Sequence, residues 1–149
     1  MRRMAYEFKL VRRVEFSETD MAGIVHYSNF FRYMESAEHA FFRSLGFSVA
    51  TKQVEPPVGW PRVHASCDYK RPLRFEDEFE IHLLVTAKKS KSLTYEFRFR
   101  KLNGKEPVEV ARGALTVVCV TQRRGQMKAA TIPRAIAEKI QVAPETKSE

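Results

Sequence analysis

A chain of 149 residues, 44% apolar and 30% charged, has the length and balance of one globular domain that can bury a core of its own. Two cysteines, and no apolar stretch near the ~20 residues a bilayer crossing needs, exclude a disulfide scaffold and a spanning helix. The net charge of +8, from 26 Lys and Arg against 18 Asp and Glu, suits an anionic partner: nucleic acid, a membrane surface or a phosphate-rich small molecule.

The start, from Met1 to Lys9, is basic but has no apolar segment behind it, so no secretory signal is expected. Cys67 and Cys119 lack CxxC spacing. Both features fit a reducing cytoplasm.

Residues 6–16 alternate well enough for a strand. A break follows around Thr19, Asp20 and Gly23. Residues 29–45 then carry Phe30, Tyr33, Met34, Ala37, Phe41 and Leu45 at spacings of three and four, which predicts a helix with one apolar stripe. Ser28 or Asn29 suits its N-cap and Gly46 its C-terminal closure. A connection with Pro56, Pro57 and Pro61 leads into strand-like segments at 63–69, 75–87, 93–102 and 108–121. Lys88-Lys89-Ser90-Lys91-Ser92 reads as a basic turn, and Asn103-Gly104 as the strongest short hairpin signal. Pro133 predicts the first turn of a short helix reaching about residue 140. Residues 141–149 read as a frayed tail.

The order is therefore strand, long helix, then four strands, with no repeat and no second-domain boundary in 1–149. One amphipathic helix must bury its stripe on one antiparallel sheet, an α+β layer. The edges of so small a sheet are expected to be covered by a second subunit.

Chemistry is best sought just before the helix. Asp20 is too far upstream to cap it directly, and Gly23 lets the chain turn sharply between them. Such a loop can return the carboxylate to the helix start. There, free N–H groups and the positive dipole end favour negative charge. A carboxylate beside such amides suits acyl chemistry: it attacks a carbonyl or activates water while the amides hold the oxyanion. The bland alternative is a turn-forming aspartate.

The run Thr19-Asp20-x-x-Gly23-Ile24-Val25-x-Tyr27-x-Asn29-Phe30-x-Arg32-Tyr33-x-Glu35-x-Ala37 closely resembles the hot-dog-fold acyl-CoA thioesterases of the 4-hydroxybenzoyl-CoA thioesterase family. The resemblance is dense over about residues 10–47 and continues by element order to about residue 121. It implies a hot-dog fold, an antiparallel sheet wrapped around one long central helix. It also implies hydrolysis of an acyl-CoA thioester with no cofactor or metal. Asp20 then matches the catalytic carboxylate, as nucleophile or as base for water. The backbone N–H of Tyr27 matches the amide that polarises the carbonyl. Glu35 matches a position facing the acyl group, where a carboxylate accepts a hydrogen bond from a hydroxylated ring; the alternative is an ordinary solvated helix glutamate. Asn29 orders the loop or caps the helix.

Basic residues at the family's corresponding turn meet the phosphates of CoA. That assigns Lys89 and Lys91, with Lys88 close behind, to substrate binding. Arg71 and Arg74 are further candidates that nothing in their spacing singles out. His26 sits beside the proposed oxyanion amide, where it either shapes the acyl pocket or packs. The resemblance further implies a homodimer or homotetramer with active sites between subunits.

His39, His64 and His82 form no HExxH and no Cys/His cluster, so no metal is expected. No GxSxG, GxxxxGK[ST] or GxGxxG is present. Cys67 reads as a small core residue without a partner base. No helix-turn-helix, zinc-finger or RNP-like pattern supports nucleic acid. The alternatives within the fold are a thioesterase acting on acyl carrier protein and a non-catalytic acyl-CoA sensor.

Overall fold

The apolar stripe becomes a buried face. The chain forms β1 (Glu7–Arg13), a 3₁₀ turn (Phe16–Glu18), α1 (Asn29–Ser44), β2 (Arg62–Tyr69), β3 (Glu78–Lys88), β4 (Ser92–Lys101), β5 (Val108–Val118), β6 (Val120–Arg123), β7 (Gln126–Ala129) and α2 (Arg134–Ala137). This structure, a computed structural model, describes residues 4–50 and 54–145. Five strands make one antiparallel sheet in the order β1-β3-β4-β5-β2, and α1 packs on one face of it. The fold is the α+β layer that the sequence pattern predicts, in the hot-dog arrangement that the resemblance implies.

Phe30, Tyr33, Met34, Ala37 and Phe41 of α1 are all buried. They meet alternate residues of the sheet. The ring of Phe30 lies 5.2 Å from that of Phe99, and the ring of Tyr33 lies 4.8 Å from that of Phe79. Full burial of each such side chain contributes on the order of 1.5–3 kcal/mol. Gly113 on β5 makes room for this packing: a Cβ there would collide with the end of Met34 and press the Ser66 carbonyl at 3.2 Å. The helix closes as the sequence suggests. Gly46 takes φ +91°, its N–H donates to Arg43, and the Phe47 N–H donates to Phe42, which is the Schellman pattern.

Elsewhere the local signals are overruled. Asn103-Gly104 makes no tight turn, and Gly104 does not adopt positive φ. Asn103 instead accepts the Glu78 N–H at 2.7 Å, and Pro107 has no N–H to begin pairing, so six residues separate β4 from β5. The tight turn lies at Arg124-Gly125, with φ +51° and +78°, and joins β6 to β7. The long strand expected over 108–121 breaks at Cys119, whose N–H donates to Lys91. Residues 141–143 are tied down rather than frayed: Gln141 donates to Ala5 and Ala143 to Val85. Residues 146–149 of the expected tail lie outside the described residues.

The sheet face away from α1 carries a polar ladder. His82 is buried there, with Nε2 2.7 Å from Glu7 Oε1 and Nδ1 3.2 Å from the Arg100 guanidinium. Arginine only donates, so Nδ1 accepts, and Nε2 carries the proton given to Glu7. Burial pushes the His82 pKa down; the Arg100 and Lys9 charges add to this, and Glu7 opposes it. On acidification the unfolded chain therefore binds the proton first. Stability is full above the ordinary histidine value and falls as pH drops below it. Glu7 is also held below the usual carboxylate range, by the His82 bond against its own burial, and extends the loss to lower pH. We expect the melting temperature to decline from pH 7 to pH 5 and the slope to flatten in His82→Gln. An unchanged slope in that variant would show that the titration lies elsewhere.

Candidate active site

The loop between the 3₁₀ turn and α1 folds back on itself. Thr19 pairs with Val25, the Asp20 N–H donates to Ile24, and Gly23, at φ +80°, donates to Asp20. The Ala22 N–H donates to Asp20 Oδ1 at 2.8 Å, an Asx turn that fixes the carboxylate. The loop is stitched to the segment before β3, with Ile24 pairing with Arg74 and the Val25 N–H donating to Leu73. Asp20 is thus half-buried in a loop that folds back on itself just before α1.

Glu18 anchors this arrangement. Its carbonyl accepts the His26 N–H at 2.9 Å and the Asn29 side-chain amide at 2.7 Å. Its carboxylate accepts the Tyr33 hydroxyl at 3.0 Å and Arg12 at 3.2 Å. Asn29 therefore orders the loop. Ser28 occupies the N-cap position, but its hydroxyl bonds His26 Nδ1 at 2.7 Å, so no side chain caps the helix.

Among the described residues the Tyr27 N–H donates to no group. Its carbonyl is held by the Tyr69 hydroxyl at 2.9 Å, across 42 positions of sequence. Burial pushes the Tyr69 pKa up to about 12, with help from Cys67, so the hydroxyl stays a donor at neutral pH. The Cys67 thiol is pushed up to about 11, also by burial first, which suits packing and not nucleophilic attack.

Asp20, Tyr27, Phe30, Tyr69 and Leu73 line one cavity of about 510 Å³. A carboxylate and an unengaged backbone amide on the wall of one cavity are the two kinds of group that acyl transfer calls for, an attacking group and an oxyanion donor. Among the described residues no three His, Cys, Asp or Glu side chains are grouped to hold a metal. No described helix is long and apolar enough to cross a membrane.

The other predicted residues lie apart. His26 stacks on the Tyr27 ring at 4.5 Å and does not line the cavity. Glu35 is 58% exposed on α1, 3.9 Å from Arg62, and is also outside the cavity. Lys88 is a structural lysine: its ammonium donates to the carbonyls of Ala137 and Ile140 at 3.1 and 2.8 Å, where it satisfies the end of α2. Lys89 and Lys91 are exposed, but they stand at the far end of the sheet. The Asp20 loop meets Leu73 and Arg74, before β3, whereas these lysines follow its eleventh residue. At about 3.3 Å per residue the two ends are roughly 33 Å apart. Within one protomer the structure does not bring them together.

The sequence matches the family model of the thioesterase-like superfamily over residues 14–140. A protein of Aquifex aeolicus (strain VF5), named as a candidate esterase, is 38% identical over 127 residues, 85% of this chain and 92% of its own. A 1,4-dihydroxy-2-naphthoyl-CoA hydrolase of Synechococcus sp. (strain CC9311) is 31% identical over 115 residues, 72% of each chain. The solved structure of a gentisyl-coenzyme A thioesterase superposes with a TM-score of 0.75 at 31% identity, over 87% of this chain and 99% of that one. With the folded-back loop, the free amide and these likenesses in agreement, the chain belongs to the thioesterase-like superfamily and is a thioester hydrolase.

Proposed function

We propose that the chain hydrolyses an acyl-CoA thioester, R–CO–S–CoA plus water giving R–COOH and the free thiol of CoA. The observation that carries this reading is the Tyr27 N–H at the start of α1, which has no partner among the described residues and lines the same cavity as Asp20. The thioester carbonyl oxygen accepts from that amide, and negative charge developing on it is stabilised by the helix end. Asp20 delivers the attack, by adding to the carbonyl carbon itself or by taking a proton from the attacking water. The CoA thiolate leaves as the tetrahedral intermediate collapses; where Asp20 itself has added, this gives an acyl–Asp20 anhydride that water then hydrolyses to R–COOH and the free carboxylate. No metal or cofactor has a role in these steps.

The acyl group we propose is a hydroxylated aromatic. The two named acyl-CoA relatives act on gentisyl and dihydroxynaphthoyl thioesters. Glu35 offers a carboxylate on α1, about 12 Å along the helix from Tyr27. It does not line this protomer's own cavity, so its acyl group would be that of a second copy. Such a copy would cover the exposed β2 edge, where Val63 is 63% exposed, and make a homodimer or a tetramer built from it. Lys89 and Lys91, too far from this protomer's Asp20 to share a substrate with it, would meet one held by the second copy.

Release of free CoA thiol from 4-hydroxybenzoyl-CoA, phenylacetyl-CoA and short, medium and long aliphatic esters tests the reading. The expected result is turnover, with kcat/KM for the hydroxyaryl ester at least about tenfold above the aliphatic ones. Absence of turnover on every CoA ester by a folded oligomer, with turnover of the same acyl group on acyl carrier protein, would replace the carrier. Absence on both would leave a ligand sensor.

A further inference from the structure

An oxyanion donor acts only when it is aimed, and the aim of the Tyr27 N–H is set by the two peptide planes that meet at the Tyr27 Cα. Tyr27 directly precedes Ser28, the N-cap of α1. The plane between residues 26 and 27 carries the N–H itself. The loop holds this plane, because the His26 carbonyl on it accepts the Asn29 N–H at 2.9 Å. The plane between residues 27 and 28 carries the Tyr27 carbonyl and the Ser28 N–H. Its local bonds are long: the Phe30 N–H reaches the carbonyl at 3.3 Å, and the Ser28 N–H reaches His26 Nδ1 at 3.3 Å. The short bond comes from outside the loop, from the Tyr69 hydroxyl, which donates to the Tyr27 carbonyl at 2.9 Å. Tyr69 is the last residue of β2 and pairs with Ala111 of β5. Its ring stands edge-on to Phe30 at 5.2 Å, and Phe30 is itself buried against Phe99 and Tyr33. The hydroxyl is therefore carried by the sheet and the core, not by the loop it holds.

Resting on the hydrolase reading, we propose that Tyr69 is a positioning residue for the oxyanion donor: its hydroxyl pins the second plane and so fixes the direction in which the Tyr27 N–H meets the thioester carbonyl. With that plane released, the Tyr27 Cα swings about the bonds on either side of it, and the N–H swings with it. A preorganised donor needs no reorganisation as charge develops, whereas a donor that must be re-aimed gives back part of its stabilisation. The bond itself contributes little to stability. Tyr27 and Tyr69 are 64% and 46% exposed, so water replaces the hydroxyl when it is removed. Both ends of the tether belong to one protomer, so it is equally present when a second copy covers the β2 edge. The ring of Tyr69 also walls the cavity beside Phe30, a part that phenylalanine fills as well.

The test is Tyr69→Phe, which removes the hydroxyl and keeps the ring on Phe30. Steady-state kinetics on one hydroxyaryl and one aliphatic CoA ester are expected to show kcat lower by about tenfold, KM within about twofold, and the same loss for both esters. Equal loss is the mark of an effect on the carbonyl, which every thioester has. A change in the cavity wall would instead move KM and would distinguish the two acyl groups. The melting temperature is expected to fall by no more than about 4 °C, which establishes that the variant is folded. Backbone amide NMR relaxation reads the same restraint without turnover: the heteronuclear NOE of the Tyr27 amide is expected to drop in the variant, while that of Asn29 does not. Wild-type kcat in Tyr69→Phe, a loss confined to KM or to one acyl group, or an unchanged Tyr27 NOE overturns the proposal. A wild type that cleaves no thioester, in which the Tyr27 NOE still drops on removal of the hydroxyl, would sink the hydrolase reading and the catalytic part of the proposal with it, and leave the restraint itself standing.

Discussion

Asp20→Asn is expected to reduce kcat by about 10²–10⁴-fold, the range typical of losing a positioned base or nucleophile, with little change in KM. The substitution is close to isosteric. An asparagine Oδ1 still accepts the Ala22 N–H, so the Asx turn survives, as do the Thr19–Val25 pairing and the Gly23 turn. The apolar wall of Phe30 and Leu73 and the Tyr27 amide are untouched. What is lost is the negative charge and the ability to accept a proton or form a bond to carbon. The melting temperature should remain close to that of the wild type, since no buried group loses its partner. Residual activity would come from the amide and from substrate positioning, which Asp20 does not supply. Turnover equal to wild type in a folded Asp20→Asn protein would remove Asp20 from the chemistry. Rapid-quench mass spectrometry of the wild type then separates the two roles. An acyl adduct on the peptide containing Asp20 identifies a nucleophile, and its absence at every time point identifies a base acting on water.

Much of this site is legible in the sequence because its logic is local. A glycine three residues after Asp20, and a stripe that starts at Phe30, are enough to predict a loop returning to a helix start. Closure at Gly46 is legible for the same reason: only a residue at ease with positive φ ends a helix in that way. Glu18 and Tyr69 are not legible. Each acts through partners distant in sequence, Glu18 through Arg12 and Tyr33, Tyr69 through the Tyr27 carbonyl, and neither pattern nor propensity encodes such pairings. Lys88 is a related case. As one of three lysines in a turn it reads as a mobile cation, until α2 lays its last carbonyls against it. Asn103-Gly104 and Arg124-Gly125 show tertiary demand choosing between two turn signals. The first has the better dipeptide, but its asparagine is claimed by β3. The second has an arginine where asparagine is usual, and is made necessary by the break in the sheet at Cys119.

The largest expected effect on stability lies beneath α1, in a polar cluster the sequence does not announce. Glu38 is fully buried and is bonded by the Arg62 guanidinium, which is itself 28% exposed at the start of β2. Burial pushes the Glu38 pKa up, and Arg62 opposes this. The Tyr95 hydroxyl adjoins the carboxyl without a well-formed bond, and among the described residues Glu38 Oε2 and Trp60 Nε1 also have no hydrogen-bond partner. With so little else to satisfy it, the carboxylate depends on Arg62. Arg62→Ala is expected to cost about 3 kcal/mol, the lower end for breaking a buried pair because the arginine reaches solvent. In a chain of this size that is a fall of roughly 6–12 °C in melting temperature. The cost should shrink on acidification. A carboxyl whose folded pKa lies above its unfolded one is protonated first in the folded state, so its destabilisation grows as pH rises and fades as pH falls. Glu38→Leu/Arg62→Leu, which removes both charges and keeps the volume apolar, is expected to recover most of the loss. Denaturant unfolding at pH 7.5 and pH 5 measures all three effects. A single variant within 0.5 kcal/mol of wild type, or a double variant no better than the single one, would mean that water and not Arg62 satisfies Glu38. The position of the pair gives it a second consequence. Arg62 also lies beside Glu35 and ties the edge strand to the helix face on which acyl recognition is proposed, so Arg62→Ala should also lower the preference for hydroxyaryl over aliphatic thioesters.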